Sequence, residues 1–339
     1  MLVSGKHAAE QREAAERFGL AAREIQTVRS PAGLWELMLF PFRMLACRHA
    51  VKKVLDELSG DLLLGMGSFA AVPPCWAWPW RKKPLFLHEG NAFMGKANRL
   101  FAKRSVGIAL SLPLVDESQL KGVPGKITGM PLREAVIAAA ASTVTAECRA
   151  EILASFGLKP DRRTMLVFGG SQGARAINTL LAQTAPRLAD LAGKLQFILL
   201  TGTEENDQLR EAFAQAGLSA HIVKGDPEIQ RCYQVADLTL CRAGASSICE
   251  LALFQMPMIL VPLPSAADNH QLMNARMLEK AGAARCLEQR LASPELLDAW
   301  LREWLAAPEK WTTMGQAAAQ FAHPDATKAV VDLLVKVRG

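Results

Sequence analysis

Strand–helix alternation runs through the 339 residues and starts afresh near residue 150, which predicts an α/β fold of two domains with parallel sheets. Two further observations agree. Residues 166–175 read LVFGGSQGAR and residues 241–250 read CRAGASSICE. Each takes an apolar strand into small residues and then into a helix start, which is how an α/β sheet builds an edge that binds phosphate through backbone N–H groups. In such folds ligands lie at the carboxyl ends of the strands. Two Rossmann-like domains, 1–145 and 146–339, should therefore face each other across a cleft.

In the first half a helix fits His7–Phe18, an extended run Glu24–Val28, and a longer helix Leu34–Leu58 that carries Pro41. Strands fit Asp61–Leu64, Pro84–Leu87, Val106–Leu110 and Lys126–Thr128. The Ala-rich stretch Arg133–Leu158 reads as helix and connector. In the second half strands fit Met165–Phe168, Gln196–Leu200, Ala220–Val223, Leu238–Leu240 and Met258–Val261. Helices lie between them at Ala174–Leu188, Glu205–Ala216, Ser246–Phe254 and Asn269–Ala281. Two last helices, Pro294–Leu305 and Ala326–Val337, could pack on either domain.

Hydrophobic residues make up 50% of the chain, enough for packed cores and too many for disorder. The formal charge of +6 favours anionic partners such as nucleotides or phospholipid surfaces. Nucleic acid fits poorly, because the basic residues are scattered and no recognised motif is present. Seven cysteines without a C-x-x-C pair suggest a reducing compartment, with Cys241 and Cys249 buried. No metal-ligand spacing and no signal peptide stand out. The apolar run Leu34–Cys47 is broken by Glu36, Pro41 and Arg43, so it is too short to span a bilayer and the protein should be soluble or peripheral.

Gly169, Gly170 and Gly173 let the backbone approach an anion, and Ser171 can donate its hydroxyl or cap the next helix. The turn is neither a Walker loop nor G-x-G-x-x-G. In the second motif Ser246 or Ser247 opens a helix, and Glu250 falls on its first turn. That carboxylate either meets the helix dipole or accepts hydrogen bonds from two ribose hydroxyls. His270 and Gln271 follow the turn Val261–Pro264; they suit sugar hydroxyls, or the segment is a helix start capped by Asp268. In the first half, Gly65–Ser68 and His88–Asn91 end strands on the cleft side, and His88 and Glu89 form the one adjacent acid/base pair so placed. Arg133 could meet a phosphate or lie on a helix surface. Trp76, Trp78 and Trp80 run into Arg81–Lys83, which suits a lipid headgroup interface extended by Trp35, Leu37, Leu39 and Phe40; the alternative is a core helix end and a solvated loop.

These residues resemble the MurG family of peptidoglycan N-acetylglucosaminyltransferases over nearly the whole sequence. The match is carried by GGSQGAR at Gly169–Arg175, CRAGASSICE at Cys241–Glu250, NHQLMNA at Asn269–Ala275, KAGAA at Lys280–Ala284 and HEGNAFMGKANR at His88–Arg99. The resemblance implies the GT-B fold, with an acceptor and membrane-side domain first and a UDP-GlcNAc domain second. It implies transfer of N-acetylglucosamine from UDP-GlcNAc to lipid I, the undecaprenyl-pyrophosphoryl-MurNAc-pentapeptide, with inversion. It also implies a peripheral position on the anionic cytoplasmic face of the bacterial inner membrane. No cofactor or metal is called for, and no D-x-D is evident. Carried over by position, Ser171 contacts the donor pyrophosphate. Ala245, Ser246, Ser247, Ile248, Cys249 and Glu250 line the uridine and phosphates, with Glu250 on the ribose. His270 and Gln271 hold the sugar, and Asn91 and Arg133 complete the donor site. A donor-site isoleucine falls near Asp226 or Ile229.

Two departures stand out. The family opens with a strand and a GGTGGH-type loop that supplies a histidine. Here MLVSGKHAAEQ resembles the second strand and its helix, so a first βα unit is expected upstream or lacking. Gly90 stands where the family commonly has glutamine. Without the loop histidine, His88 or Glu89 is the candidate base. Alternative readings are an enzyme of this fold with another acceptor, a UDP-sugar binder without turnover, and a sugar-nucleotide epimerase.

Overall fold

The computed structural model describes residues 1–338 except 4–7, 26–27, 29–32, 171–174 and 203–205. Every strand pairing among the described residues is parallel. The second sheet contains β7 (Arg163–Phe168), β8 (Leu195–Leu200), β9 (Ser219–Val223), β10 (Leu238–Cys241), β11 (Met258–Leu260) and β12 (Arg285–Cys286), in the order β12-β11-β10-β7-β8-β9. Strands β7, β8, β10 and β11 are buried along almost their whole length, because helices cover both faces. The order reverses between β7 and β10, and a doubly wound sheet binds ligands at that crevice.

The covering helices are α7 (Arg175–Thr184), α8 (Asp207–Gln215), α9 (Ile229–Val235), α10 (Ala245–Leu253), α11 (His270–Lys280), α12 (Pro294–Ala306) and α13 (Pro308–Ala318). One core face gathers Leu166, Ile198 and Leu260 with Ile248 and Tyr233. The other gathers Val167, Phe197 and Ile259 with Leu180, Trp304 and Trp311. The alternation of Leu166 and Val167 between the two faces follows from the two-residue period of a strand.

The first half contains β1 (Leu2–Val3), α1 (Ala8–Arg17), β2 (Arg23–Glu24), α2 (Leu34–Leu58), β3 (Leu63–Gly65), α3 (Val72–Ala77), β4 (Leu85–Glu89), α4 (Lys96–Phe101), β5 (Gly107–Leu110) and β6 (Gly125–Ile127). Strands β3-β4-β5-β6 form one sheet and β1-β2 a separate pair. Between them lies an apolar cavity of about 750 Å³, bordered by Leu2, Ile25, Leu63, Cys75 and Trp78. Helices α5 (Glu134–Ala141) and α6 (Ala146–Ser155) connect the halves, where one helix with a connector was expected.

The last helix, α14 (Ala326–Arg338), does not stay with the second sheet. Val330 and its neighbours Leu333, Leu334 and Val337 pack on Phe86 and Ala109 of the first sheet, and Arg338 pairs with Asp61 at 2.9 Å. The expected second domain, 146–339, therefore loses its last helix to the first domain. The physical reason is a face of β3–β5 that would otherwise meet water; the apolar stripe of α14 covers it. Helix α12 stays on the second sheet.

The tryptophan expectation needs a correction. Trp78 is buried in the first domain's core, its Nε1 donating to the carbonyls of Lys83 and Pro84 at 3.1 and 3.0 Å. Trp76 and Trp80 remain beside cations: Arg48 lies over Trp76 and Arg81 and Arg104 over Trp80. The exposed apolar surface is the expected extension on the first half of α2, where Trp35, Leu37 and Leu39 are exposed with Leu34 and Phe42, while Phe40 is half-buried. Cys241 and Cys249 are buried and unpaired, like the other five cysteines in having no disulfide.

Candidate active site

One cavity of about 1050 Å³ lies between the domains at the carboxyl ends of the strands. Its walls include His88 and Glu89 at the end of β4 with Gly90 and Asn91 after it, Gly169 and Gly170 after β7, Gly244–Ser247 after β10, and His270 and Gln271 opening α11. Most of the residues read from sequence are thus brought to one place. Ser171 and Gly173 lie outside the described residues. Gly170 has φ +66°, a left-handed conformation in which glycine is unstrained. At the start of α10 the N–H groups of Ala245, Ser246 and Ser247 precede the first intrahelical bond, from Ile248 N–H to the Gly244 carbonyl. Three donors and the helix dipole therefore converge on the cavity wall.

Ile248 and Cys249 do not reach it. Both are buried in the core, so neither side chain lines the cavity. Burial pushes the Cys249 thiol up to about 12. Glu250 is the sixth residue of α10 and so falls in the second turn rather than the first. It accepts the Tyr233 hydroxyl at 2.7 Å, and Arg133 Nη2 lies 3.6 Å away. Both Glu250 and Arg133 sit beside the cavity rather than in its wall.

The two acid/base candidates are heavily engaged. Glu89 Oε1 accepts from Asn91 N–H at 3.0 Å and Asn91 Nδ2 at 3.2 Å. Its Oε2 accepts from Gly95 N–H at 2.9 Å and Asn98 Nδ2 at 2.8 Å. Four donors make this carboxylate the brace of the loop after β4. His88 is 3% exposed, with Nε2 3.1 Å from Ser111 Oγ. Burial lowers the imidazole's proton affinity, against the opposing pull of the Gly129 backbone and Glu89, so the ring is favoured neutral.

On the sugar side, His270 Nδ1–H donates to the Ala267 carbonyl at 2.7 Å, and Gln271 Oε1 accepts Leu263 N–H at 3.0 Å. Asp268 does not cap the helix. It and Asn269 are both left-handed, at φ 51° and 54°, and the Asp268 carboxylate reaches across the cleft to Arg99 at 2.8 Å and Lys96 at 3.2 Å. Asp268, the first of these two left-handed residues, is thus held by the opposite domain.

Sequence reasoning missed the residues that join the domains. Asn274 is fully buried; its Oδ1 accepts Ala92 N–H at 2.8 Å, and its Nδ2 donates to Asn91 Oδ1 at 3.1 Å and the Ala243 carbonyl at 3.0 Å. A signal was present: Asn274 lies three residues after Gln271 and so shares its helix face. Arg242 was also passed over. Buried in the cavity wall, it donates from Nη1 to the Val261 carbonyl and Gln289. Among the described residues, no group of three or more His, Cys, Asp or Glu is placed to hold a metal ion, and no helix is long and apolar enough to cross a membrane.

With this geometry in view, likeness to known proteins is informative. Residues 3–109 match the glycosyltransferase family 28 N-terminal domain and residues 164–330 its C-terminal domain. The UDP-N-acetylglucosamine--N-acetylmuramyl-(pentapeptide) pyrophosphoryl-undecaprenol N-acetylglucosamine transferase of Geobacter sulfurreducens is 34% identical over 286 residues, 84% of this chain and 75% of that one. The protein of the same name from Ectopseudomonas mendocina is 35% identical over 307 residues, 90% of this chain and 81% of that one. Among solved structures, Acinetobacter baumannii MurG has a TM-score of 0.74 at 24% identity, covering 99% of each chain. The UDP-GlcNAc 2-epimerase from Neisseria meningitidis bound to UDP-GlcNAc reaches 0.68 at 12% identity, covering 99% of this chain and 91% of that one, which speaks to the shared two-domain fold alone. Family domains at both ends of the chain, and relatives above a third identical over most of its length, lead to one conclusion: the chain belongs to glycosyltransferase family 28 and has its two-domain GT-B architecture.

Proposed function

We propose that this chain is an inverting glycosyltransferase that moves N-acetylglucosamine from UDP-GlcNAc to lipid I, yielding lipid II for peptidoglycan and so supporting cell wall growth, shape and division. The observation that carries this reading is the cavity at the β7/β10 crevice. It presents the Gly169–Gly170 turn and the open N–H groups of α10 beside His270, Gln271 and Asn91. The relatives named above are transferases of this donor and acceptor by name.

In this mechanism the diphosphate rests on the N-terminus of α10 and the Gly169–Gly173 turn, with Ser171 on the pyrophosphate. Glu250 takes the ribose hydroxyls, and Arg133 and Asn91 complete the donor site. His270 and Gln271 orient the sugar. Charge grows on the leaving UDP as the acceptor hydroxyl attacks the anomeric carbon, and fixed N–H dipoles stabilise it without reorganising; one such donor is worth about 3 kcal/mol. His88 is the better base candidate. Glu89 would have to release donors that shape its own loop, whereas burial favours a neutral His88, which has the Ser111 hydroxyl as a path for the proton.

The acceptor's lipid calls for a membrane surface. The exposed apolar face of α2, and the cations Arg81 and Arg104 over Trp80, suit an anionic leaflet and a peripheral position on the cytoplasmic face of the inner membrane. We assign the acceptor side to residues 1–145 together with α14, and the donor side to residues 146–325.

The test is calorimetric titration with UDP, followed by transfer of labelled N-acetylglucosamine to lipid I. Submicromolar to micromolar UDP binding and label in lipid II are expected. A folded chain that binds no UDP refutes the reading. Binding without transfer would leave a UDP-sugar binder, and release of ManNAc without lipid would make it an epimerase.

A further inference from the structure

Glu250 is held by a residue to which the donor-site reading gives no part. Tyr233, on α9, donates its hydroxyl to Glu250 Oε2 at 2.7 Å. The ring is 2% exposed. It is wedged between Phe254, at 5.2 Å between centroids, and Phe168, at 6.2 Å. Phe168 is the last residue of β7, immediately before the Gly169–Gly170 turn. Burial, and then the adjoining carboxylate, push the phenol's pKa up, so it remains a proton donor at every physiological pH. The other carboxylate oxygen, Oε1, faces Arg133 Nη2 at 3.6 Å, too far for a hydrogen bond.

A glutamate that must accept from two neighbouring hydroxyls needs its carboxylate plane fixed. A free side chain would pay for that order each time a ligand bound. Tyr233 supplies the order beforehand, from a ring locked by packing. We infer that Tyr233 is the positioning residue that sets ribose selectivity: it fixes one oxygen of Glu250 so that the remaining lone pairs meet the 2′- and 3′-hydroxyls of a uridine diphosphate. The inference rests on the assignment of Glu250 to the ribose. A site built to hydrogen-bond a hydroxyl discriminates strongly against the analogue that lacks it. A carboxylate free to turn away would lose that discrimination.

The experiment compares UDP with 2′-deoxy-UDP by calorimetry in the native chain, Tyr233→Phe and Glu250→Gln. The native chain should prefer UDP by about tenfold or more. Tyr233→Phe, which removes one hydroxyl and keeps the packed ring, should weaken UDP roughly tenfold while changing 2′-deoxy-UDP by less than about twofold. An equal loss for both ligands, or no loss, overturns the inference and returns Tyr233 to packing alone. Glu250→Gln separates the two levels. If it leaves the UDP preference intact, the ribose assignment itself is wrong. If it abolishes the preference and Tyr233→Phe does not, only the positioning role fails. Tyr233 is also the one tyrosine in the sequence. Uniform 3-fluorotyrosine labelling therefore gives a single ¹⁹F resonance with the pair intact, even if the phenylalanine variant does not fold. UDP should shift that resonance in the native chain and not in Glu250→Gln; a resonance unmoved by saturating UDP in the native chain refutes the proposal.

Discussion

Replacing Asn274 by alanine should uncouple the two domains. The side chain is fully buried and makes three hydrogen bonds, two of them to main-chain groups of Ala92 and Ala243, which are themselves buried. Truncation strands the Ala92 N–H and the Ala243 carbonyl, each at a desolvation cost of about 1–3 kcal/mol. With the lost link to Asn91, the sum is roughly 3–5 kcal/mol. Asn274→Asp is the sharper control. It keeps the shape and the acceptor for Ala92, yet sets a carboxylate oxygen where the amide donor met the Ala243 carbonyl. It should be no more stable than the alanine variant. Urea unfolding followed by tryptophan emission reads the change, with each transition fitted separately because a two-domain chain need not unfold in one step. The donor KM should rise in parallel, since Asn91 and the start of α11 lose their common tether. A loss below about 1 kcal/mol, or an aspartate variant as stable as the native chain, would refute this account of the interface.

Three other perturbations follow from the site. Glu250→Ala should raise the KM for UDP-GlcNAc about 10- to 100-fold with a much smaller effect on kcat, because ribose contacts are made equally in the ground and transition states; an unchanged donor KM in steady-state assays counts against the assignment. Trp35→Ser with Phe42→Ser should at least halve sedimentation with anionic vesicles and leave the unfolding free energy from urea titration within about 0.5 kcal/mol, since both side chains are exposed; vesicle binding at the native level would remove α2 from the membrane. His88 carries a pH signature. Burial depresses its folded-state pKa below 6.5, so its contribution is present above the unfolded value and is lost as pH falls through the folded one, where the unfolded chain takes up a proton the native imidazole refuses. Denaturant midpoints measured from pH 7.5 down to 5.5 should therefore fall, and less steeply in His88→Gln. Some slope should persist, because burial depresses His221 and His323 in the same way; identical slopes would contradict the buried neutral ring.

What could be seen in the sequence was what short-range pattern controls. Strands β7, β8 and β10 are apolar runs covered on both faces, and the small residues after β7 and β10 suit a close backbone approach as well as a plain turn into a helix. Strand β12 escaped notice because two residues, one of them Arg285, make no pattern. Helix α3 was hidden by two adjacent prolines, although the first turn of a helix tolerates them. Trp78 misled because an aromatic beside Lys82 and Lys83 reads the same whether its ring turns inward or outward; that choice is made by the Pro84 and Lys83 carbonyls, which satisfy its N–H inside. The interdomain contacts of Asn274, Arg99 and Asp268 depend on how two sheets are set against each other, which no local window contains.

The return of α14 to the first sheet makes the polypeptide cross between the two lobes twice. Cutting at the α5–α6 connector would therefore not give two autonomous folding units. The amino-terminal fragment would carry a bare hydrophobic flank over Phe86 and Ala109, and the carboxyl-terminal fragment a trailing amphipathic segment with nothing to lie against. Co-expressed, the two pieces should find each other through that segment together with the Asn274 and Asp268 contacts across the cleft.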